Sequence, residues 1–199
     1  FGKRPDVDVD YPDLKIHIHI NKDLLTISLD SSGDSLHKRG YRTATNIAPI
    51  NEVLAAGMVL LSGYRGEENF IDPMCGSGTI LIEAAMIANN IPANINRKRF
   101  GFETWKDYDE ELYFVIQEAL LKKIRSSHFK IMGFDKAPSA IVKAKANIIE
   151  ANLDEFIGVH HVNFFNSTKE VFGKTTILFN PPYGERLNVD TQEFYKKIG

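Results

Sequence analysis

The sequence of 199 residues contains one cysteine and no long apolar run. A single cysteine excludes an internal disulfide and fits a reducing cytoplasm. No stretch approaches the roughly 18 apolar residues of a membrane span. The first residues, 1–6, lack the apolar core of a signal peptide. We therefore expect a cytoplasmic protein without a membrane segment.

The chain also lacks a strong excess of charge of either sign, because its formal net charge is −2. This balance is not that of a protein that binds nucleic acid by charge alone. Basic clusters occur at 37–42, 97–99 and 122–123, and taken singly each favours a solvated face. The length suffices for one α/β domain with a substantial core.

A glycine turn between an apolar strand and an alanine-rich helix is the strongest local signal. It comprises Gly76, Ser77 and Gly78, follows the apolar stretch 69–71 and opens a helix at Thr79. Glycine permits positive φ and a close approach of the backbone to a ligand. A helix start offers free N–H groups and a positive dipole end. The stretch predicts a nucleotide site at the carboxyl end of a strand in an open α/β sheet.

The residues around this turn indicate which nucleotide fits. A P-loop ends in Gly-Lys-Ser/Thr, but no lysine follows Gly78, and the dinucleotide fingerprint requires a third glycine where Leu81 stands. The carboxylate of Asp72 would repel a pyrophosphate but attract the ammonium and sulfonium groups of S-adenosylmethionine. We therefore expect this cofactor, with Cys75 as a small residue beside it. A nucleophilic Cys75 is the less favoured alternative, because no histidine is near it in sequence.

The rest of the pattern predicts a Rossmann-like α/β fold, with an open twisted sheet and flanking helices, preceded by a β-hairpin. The hairpin strands are expected at 14–20 and 24–29. Helices are expected at about 48–61, 79–89, 109–126 and 139–151, and sheet strands at 69–72, 130–135, 158–164 and 175–179. The first helix is apolar around much of its circumference, so we expect it to be buried. An open doubly wound sheet usually has more strands, which indicates a fragment of a longer protein.

Two stretches allow more than one interpretation. His17 and His19 share one face of the predicted hairpin, and a solvated strand face is favoured over a metal pair because no third ligand is evident. No metal site is expected. Residues 90–130 interrupt the alternation of strands and helices with an aromatic and basic insert. Such a mixture can bind nucleic acid or can pack internally, and the sequence does not favour one over the other.

The stretch Asn180-Pro181-Pro182-Tyr183 carries the chemistry expected for methylation of an exocyclic amine. The lone pair of such an amine is delocalised into the ring, so an enzyme must orient the nitrogen and stabilise developing positive charge. The side-chain carbonyl of Asn180 and the backbone carbonyl of Pro181 can accept its two N–H groups. Two prolines stiffen the turn, and Tyr183 offers a ring for stacking. The alternative is a tight loop, since Asn-Pro often starts turns.

Together these residues resemble a known family. Asp72 to Gly78, Asp135 and Asn180 to Tyr183 are similar to motifs I, II and IV of class I S-adenosylmethionine-dependent amino-methyltransferases. Segments 30–42, 48–52, 72–79 and 180–187 resemble THUMP-domain RNA methyltransferases, and in particular the RlmL-like ribosomal RNA (guanine-N2) methyltransferases. The likeness covers nearly the whole chain.

The resemblance implies a division of the chain and a set of site residues. Residues 1–45 would be the tail of an upstream RNA-binding THUMP-type region with its linker, and residues 46–199 a methyltransferase domain that lacks its C-terminal strands. The implied cofactor-binding residues are Pro49, Asp72, Pro73, Met74, Cys75, Gly76, Ser77, Gly78, Thr79, Asp135, Asn163 and Asn180. The implied catalytic residues are Asn180, Pro181, Pro182 and Tyr183. Asn163 stands where the family often has an acid near the adenine amino group.

The implied function is methylation of the N2 amine of a guanine in large-subunit (23S) ribosomal RNA, with S-adenosylmethionine as cofactor. The base would have to be unstacked to reach Tyr183. Adenine-N6 and protein glutamine methyltransferases use the same Asn-Pro-Pro-Tyr logic and are alternatives within the enzyme class. A non-catalytic RNA-binding module is the alternative outside it.

Overall fold

The computed structural model describes residues 2, 6–10, 12–43, 49–166, 173–182 and 191–198. Its strands are β1 (Ile16–Asn21), β2 (Leu24–Leu29), β3 (Asn69–Asp72), β4 (Ile131–Asp135), β5 (Ile157–His161) and β6 (Thr175–Ile177). Its helices are α1 (Glu52–Leu61), α2 (Thr79–Ala88), α3 (Glu110–Leu121), α4 (Pro138–Glu150) and α5 (Thr191–Ile198). Short 3-10 turns occupy Gly101–Thr104 and Phe164–Asn166. The predicted α/β fold with a preceding hairpin is confirmed.

Strands β1 and β2 form an antiparallel hairpin in which Ile16 pairs with Leu29 and Asn21 with Leu24. Lys22 in the turn has a φ of 53°. Because directly paired residues point to the same face, one face carries six exposed aliphatic side chains: Ile16, Ile18, Ile20, Leu25, Ile27 and Leu29. His17 and His19 lie on the opposite face. Among the described residues, no group of three or more acidic, histidine or cysteine side chains could hold a metal ion.

The four remaining strands form one sheet in the order β5-β4-β3-β6, and all neighbours are parallel. The chain adds β4 and β5 on one side of β3 and then returns to place β6 on the other side. The order therefore reverses between β3 and β6, which is where open α/β sheets bind ligands, outside the carboxyl ends of the strands. Asp72, Asp135 and the residues after β5 and β6 all lie at this edge.

Helix α2 is the centre of the core, since nine of its ten residues are buried. It packs on the sheet at Gly133, where an added Cβ would lie only 2.3 Å from Cδ1 of Leu81. The core also contains Phe70 of β3 and Ile131 of β4. No helix in the described part of the chain is long and apolar enough to cross a membrane.

Two expectations about helices are wrong. Helix α1 is not buried all round: Glu52, Ala55 and Val59 are buried, whereas Leu54 and Leu61 are exposed. It covers α2 on one stripe only, which its uniformly apolar sequence did not indicate. The helix of the insert ends at Leu121 rather than near residue 126, and none of its twelve residues is buried.

Candidate cofactor and acceptor site

The glycine turn joins the end of β3 to the start of α2. Asp72 Oδ1 accepts a hydrogen bond from the backbone N–H of Met74 at 3.0 Å, which turns the chain directly after the strand. Gly76 and Gly78 have φ values of 54° and 84°, a region that disfavours side chains. Gly78 is the N-cap of α2 and has no side chain to accept from the first N–H groups of the helix, which begins at Thr79. The helix start can therefore receive an external acceptor.

Asp135 at the end of β4 holds the turn against the neighbouring strand. Its Oδ2 accepts from the N–H of Gly76 at 3.0 Å and its Oδ1 from the N–H of Ala137 at 2.9 Å. The N–H of Cys75 donates to the carbonyl of Phe134 at 2.9 Å. The structure thus brings the predicted glycine turn and the predicted acid together.

The electrostatics of this edge suit a cationic ligand. Burial raises the pKa of Asp72 to about 8, the N–H of Met74 lowers it, and the neighbouring carboxylate of Asp135 raises it. No lysine or arginine forms an ion pair with Asp72 within the described ranges. A bound cation would offset the cost of holding two carboxylates close together. These residues therefore fit the positively charged part of S-adenosylmethionine.

Cys75 is buried beside these acids. Burial and the nearby Asp72 and Asp135 carboxylates raise the pKa of its thiol. Because the thiolate is the nucleophile, this environment disfavours a nucleophilic cysteine. The side chain of Cys75 instead packs closely over Gly133, where an added Cβ would lie 3.1 Å from its Sγ. This packing accords with the expected role of Cys75 as a small residue in the turn.

The two remaining loops at this edge carry the predicted asparagines. Asn163 lies two residues beyond β5, and its Oδ1 accepts from the N–H of Phe165 at 3.1 Å. Asn180 follows β6 at the same edge and is half-buried. The rings of Phe164 and Phe179 are 6.0 Å apart, so the two loops are in contact. The structure brings the asparagines to the edge that holds the glycine turn.

Beyond Asn180, Pro181 and Pro182 are described and half-buried. Tyr183 lies outside the described residues, as does most of the stretch that follows it. Pro73 and Ser77 belong to the turn itself. Pro49 lies before α1, where it lines a cavity of about 450 Å³ with His37, Lys38, Arg39, Gly40, Arg42, Ile50, Asn51 and Glu52. Arg42 in this lining donates through Nη2 to the carbonyl of Ile50 at 2.9 Å and to the hydroxyl of Thr79 at 3.1 Å, which brings the segment after Pro49 close to the start of α2.

Sequence reasoning missed a buried polar cluster beside α2. Glu83, in the middle of the helix, accepts from the hydroxyl of Tyr41 at 2.9 Å and forms an ion pair with Arg39 at 3.4 Å. Burial raises the pKa values of both Glu83 and Tyr41. The basic stretch 37–42 is therefore not simply a solvated face. The sequence feature that could have indicated this cluster is Glu83 itself, a charged residue inside an alanine-rich, otherwise apolar helix.

Arg42, at the end of this stretch, and Thr43, directly after it, are linked by hydrogen bonds to the glycine turn and the start of α2. Arg42 donates to Glu52 at 2.8 Å and to the hydroxyl of Thr79 at 3.1 Å. The buried side chain of Asn147 accepts from the N–H of Thr43 at 3.1 Å and donates to the carbonyl of Ser77 at 3.0 Å. Nothing in the sequence pattern distinguished Asn147 from other residues of α4.

Comparison with known proteins places this arrangement in a family. The RMKL-like methyltransferase domain matches residues 39–199, and the THUMP domain matches residues 1–30. The chain is 40% identical to "Ribosomal RNA large subunit methyltransferase K/L" of Desulfotalea psychrophila and 38% identical to the protein of the same name from Vibrio campbellii. Each comparison covers 94% of this chain but only 27% of the relative, so the chain spans about a quarter of their length.

Solved structures give the same result. The protein of the structure "Crystal structure of SMU.472, a putative methyltransferase complexed with SAH" is 36% identical with a TM-score of 0.83, over 92% of this chain and 48% of that one. The protein of "The crystal structure of a possible methylase from Clostridium difficile 630" is 41% identical with a TM-score of 0.83, over 93% and 49% of the two chains. A Listeria monocytogenes protein described as an N6-adenine-specific DNA methylase is 37% identical with the same TM-score, over 92% and 48%.

The resemblance inferred from the sequence motifs is therefore confirmed at the level of the family, including its dependence on S-adenosylmethionine. The chain belongs to the RMKL-like methyltransferase domain family.

Proposed function

We propose that this chain carries the site for methyl transfer from S-adenosylmethionine to the exocyclic N2 amine of a guanine in large-subunit ribosomal RNA. The observation that carries the proposal is that the expected cofactor residues and the expected acceptor residues lie at the same topological switch point of the sheet. Asp72 ends β3, Asn180 follows β6, and these two strands are paired neighbours in the sheet.

The cofactor half of the proposed site is the turn with its two acids. Asp72 would face the cationic part of S-adenosylmethionine, and Asp135 would accept from the ribose hydroxyls, as acids at this place do in nucleoside-binding folds. The remaining proposed cofactor contacts are Pro49, Pro73, Met74, Cys75, Gly76, Ser77, Gly78, Thr79, Asn163 and Asn180. When bound, S-adenosylmethionine supplies an electrophilic methyl group.

The acceptor half is the turn after β6. The N–H of Leu178 donates to the carbonyl of Ile71 at 3.0 Å, which ties the chain to β3 immediately before the turn. Asn180 and the carbonyl of Pro181 would accept the two N–H groups of the amine, and Pro182 stiffens the turn. Tyr183 would stack on the base. Positioning and electrostatic stabilisation would then account for most of the acceleration.

The proposed RNA substrate rests on the relatives. Two curated relatives bear the name ribosomal RNA large subunit methyltransferase, and the THUMP match covers the start of this chain. We propose that residues 1–45 are the tail of an RNA-binding region with its linker and that residues 46–199 belong to the methyltransferase domain. Adenine-N6 methylation is the second candidate, because one 37% identical relative is described as "a predicted N6-adenine-specific DNA methylase".

The test is transfer of a labelled methyl group from S-adenosylmethionine to unmodified large-subunit RNA by the full-length protein. The RNA is digested and the labelled nucleoside identified by chromatography. N2-methylguanosine is expected. Labelled N6-methyladenosine would keep the mechanism and overturn the substrate, and absence of label with intact cofactor binding would overturn the RNA assignment.

Two variants separate the halves of the site. Asn180→Ala should abolish transfer and weaken cofactor binding only slightly, because it removes one of the many proposed cofactor contacts but the central acceptor for the amine. Asp135→Ala should weaken cofactor binding at least tenfold, although its bond to Gly76 means that circular dichroism must verify the fold. Transfer by Asn180→Ala at the wild-type rate would remove Asn180 from the catalytic assignment.

A further inference from the structure

The segment 30–35, which follows the hairpin and is here called the linker, is held by one arginine of the insert. Arg97 donates through Nη2 to the carbonyls of Ser32 and Asp34 at 2.7 and 2.5 Å, and through Nη1 to that of Ser35 at 3.3 Å. Its guanidinium carbon lies 4.9 Å from the ring centroid of Phe100. The planar guanidinium, with its several donors, suits such a contact with multiple carbonyls.

Backbone contacts reinforce this junction. An added Cβ at Gly101 would lie 2.8 Å from the backbone nitrogen of Gly33 and 3.0 Å from the carbonyl oxygen of Asp30. The N–H of Phe102 donates to the carbonyl of Ser31 at 3.1 Å. The linker and the insert therefore touch without room for a side chain between them.

The hairpin is joined to the same junction. Lys15 pairs with Asp30 at 3.3 Å, and the N–H of Asp30 donates to the carbonyl of Lys15 at 2.8 Å, which closes the base of the hairpin. The hydroxyl of Thr104 in the insert donates to the carbonyl of Asp13 at 2.6 Å. Both ends of the hairpin thus contact the insert.

The insert is in turn fixed to the core that carries the glycine turn. Arg125 donates to the carbonyls of Ala88 and Arg65, both at 2.9 Å. The side chain of Asn89, at the end of α2, accepts from the N–H of Ser127 at 2.7 Å. The aromatic side chains inside the insert pack on one another, with centroid distances between 5.3 and 6.5 Å: Phe100, Phe102, Tyr108 and Tyr113. A continuous set of contacts leads from the hairpin to α2.

We propose that Arg97 is a positioning residue for the RNA substrate: it fixes the angle between the hairpin and the edge of the sheet that carries Asn180. The inference rests on the proposed function, because it assigns RNA capture to the region to which the hairpin belongs. The guanidinium of Arg97 is already fully engaged. It donates three hydrogen bonds to linker carbonyls and a fourth to the carbonyl of Arg99 at 3.1 Å, and it stacks on the ring of Phe100. Arg97 therefore acts through protein geometry rather than by holding a phosphate.

The test uses two independent disruptions and one control in the full-length protein. Arg97→Ala removes the bonds to the linker, and Gly101→Ala separates the same two backbones while keeping the arginine. Lys98→Ala is the matched control, because it removes one positive charge from the same loop at an exposed side chain. In both disruptive variants, kcat/KM for RNA should fall at least tenfold, while the cofactor dissociation constant stays within twofold. Lys98→Ala should stay within threefold of wild type.

A distance measurement separates positioning from simple stability. Spin labels are attached at Lys22→Cys in the hairpin turn and at Lys145→Cys on α4, two exposed positions, while the native Cys75 is buried. We expect a narrow distance distribution in the labelled parent and in Lys98→Ala, and a broad one in Arg97→Ala and Gly101→Ala. Arg97→Lys keeps the charge but replaces the two terminal nitrogens of the planar guanidinium, which donate to the linker carbonyls, by a single ammonium nitrogen, so it should lie between wild type and Arg97→Ala in both measurements.

The outcomes distinguish the two proposals. A narrow distribution with unchanged kcat/KM in Arg97→Ala would overturn the positioning role. An equal loss of kcat/KM in Lys98→Ala, with narrow distributions throughout, would also overturn it and would indicate that the loop contacts RNA by charge. If the wild-type protein transfers no methyl group to RNA, the proposed function fails, and the substrate role of Arg97 fails with it, even if the distances show that Arg97 holds the hairpin.

Discussion

Helices α2 and α3 are both rich in apolar residues, yet α2 is buried at nine of ten positions and α3 at none of twelve. Helix α2 follows the glycine turn and packs between the sheet and α1, so most of its circumference is covered. Helix α3 contacts the rest of the insert through Tyr113, and side chains such as Val115 remain 61% exposed. Apolar content alone therefore does not determine whether a helix is buried, which depends on the neighbours that the fold supplies.

The largest expected contrast compares a glutamate from each helix. Glu83→Ala should lower the free energy of unfolding by about 3–5 kcal/mol, because it leaves the buried charge of Arg39 without its carboxylate. Glu118→Ala breaks only a surface pair with Lys122 and should cost about 0.5 kcal/mol or less. Urea denaturation of both variants measures the difference. Equal losses would mean that the buried cluster contributes no more than a surface pair.

A leucine pair tests packing in the same way. Leu81 is fully buried in α2, and Leu81→Ala should cost about 2–5 kcal/mol because it removes packed atoms and leaves a cavity. Leu120 in α3 is 42% exposed, and Leu120→Ala should cost less than about 1 kcal/mol. The midpoints of chemical denaturation check this. A loss at Leu120 as large as that at Leu81 would show that α3 is covered in solution.

The acid before α2 should make stability depend on pH. Burial raises the pKa of Asp72 from 3.8 to about 8, so the folded state holds a proton that the unfolded state releases. The contribution of this proton to the free energy of unfolding is full below about pH 4. It is lost as the pH rises towards 8, with a slope of at most about 1.4 kcal/mol per pH unit. Unfolding free energies between pH 5 and 8 should fall less steeply in Asp72→Asn. Asp109→Asn before α3, which keeps a capping side chain, is the control and should retain the wild-type slope.

Cofactor binding gives the same group a second readout. A cationic ligand favours the ionised form of Asp72, so binding below pH 8 should release a proton. The number of protons released per cofactor bound is obtained from calorimetric titrations in two buffers of different ionisation enthalpy. Binding without proton release at pH 6.5 would show that Asp72 does not face the positive charge of the cofactor.

The smallest expected effect is on the surface of α3. Val115→Lys places a charge on an exposed position and should change the free energy of unfolding by no more than about 0.5 kcal/mol. Thermal denaturation of this chain and of the full-length protein measures it. A loss above about 2 kcal/mol in the longer protein alone would show that a segment absent from this chain covers the helix.

The sequence predicted the parts of the fold that local patterns specify. The expected strand 69–72 coincides with β3, and Thr79 opens α2 as expected, because a glycine turn marks its start. Helix α4 begins at Pro138, one residue before the expected start, in accord with the preference of proline for the first turn. The hydrogen bond between Asp135 and Gly76 was not predicted, because it joins residues far apart in the sequence.

Long-range contacts were beyond the same patterns. Arginine and glutamate usually lie on protein surfaces, so nothing in the sequence predicted a buried pair of Arg42 and Glu52. Their pair is buried only because the segment 39–43 packs on α1 and α2. The contacts of Arg97 with the linker join residues more than sixty positions apart, which no local periodicity encodes. The assignment of the individual site residues remains a prediction, and the experiments above address it.

The parallel sheet orders the assembly of the proposed site in time. Thr176 of β6 pairs with Phe70 of β3, while β4 and β5 are made between them. During synthesis, where chains fold from the N-terminus, the acids and the glycine turn emerge before Asn180. The half that would hold the cofactor can therefore form first, and the half that would hold the acceptor joins it only when the returning strand closes a long loop.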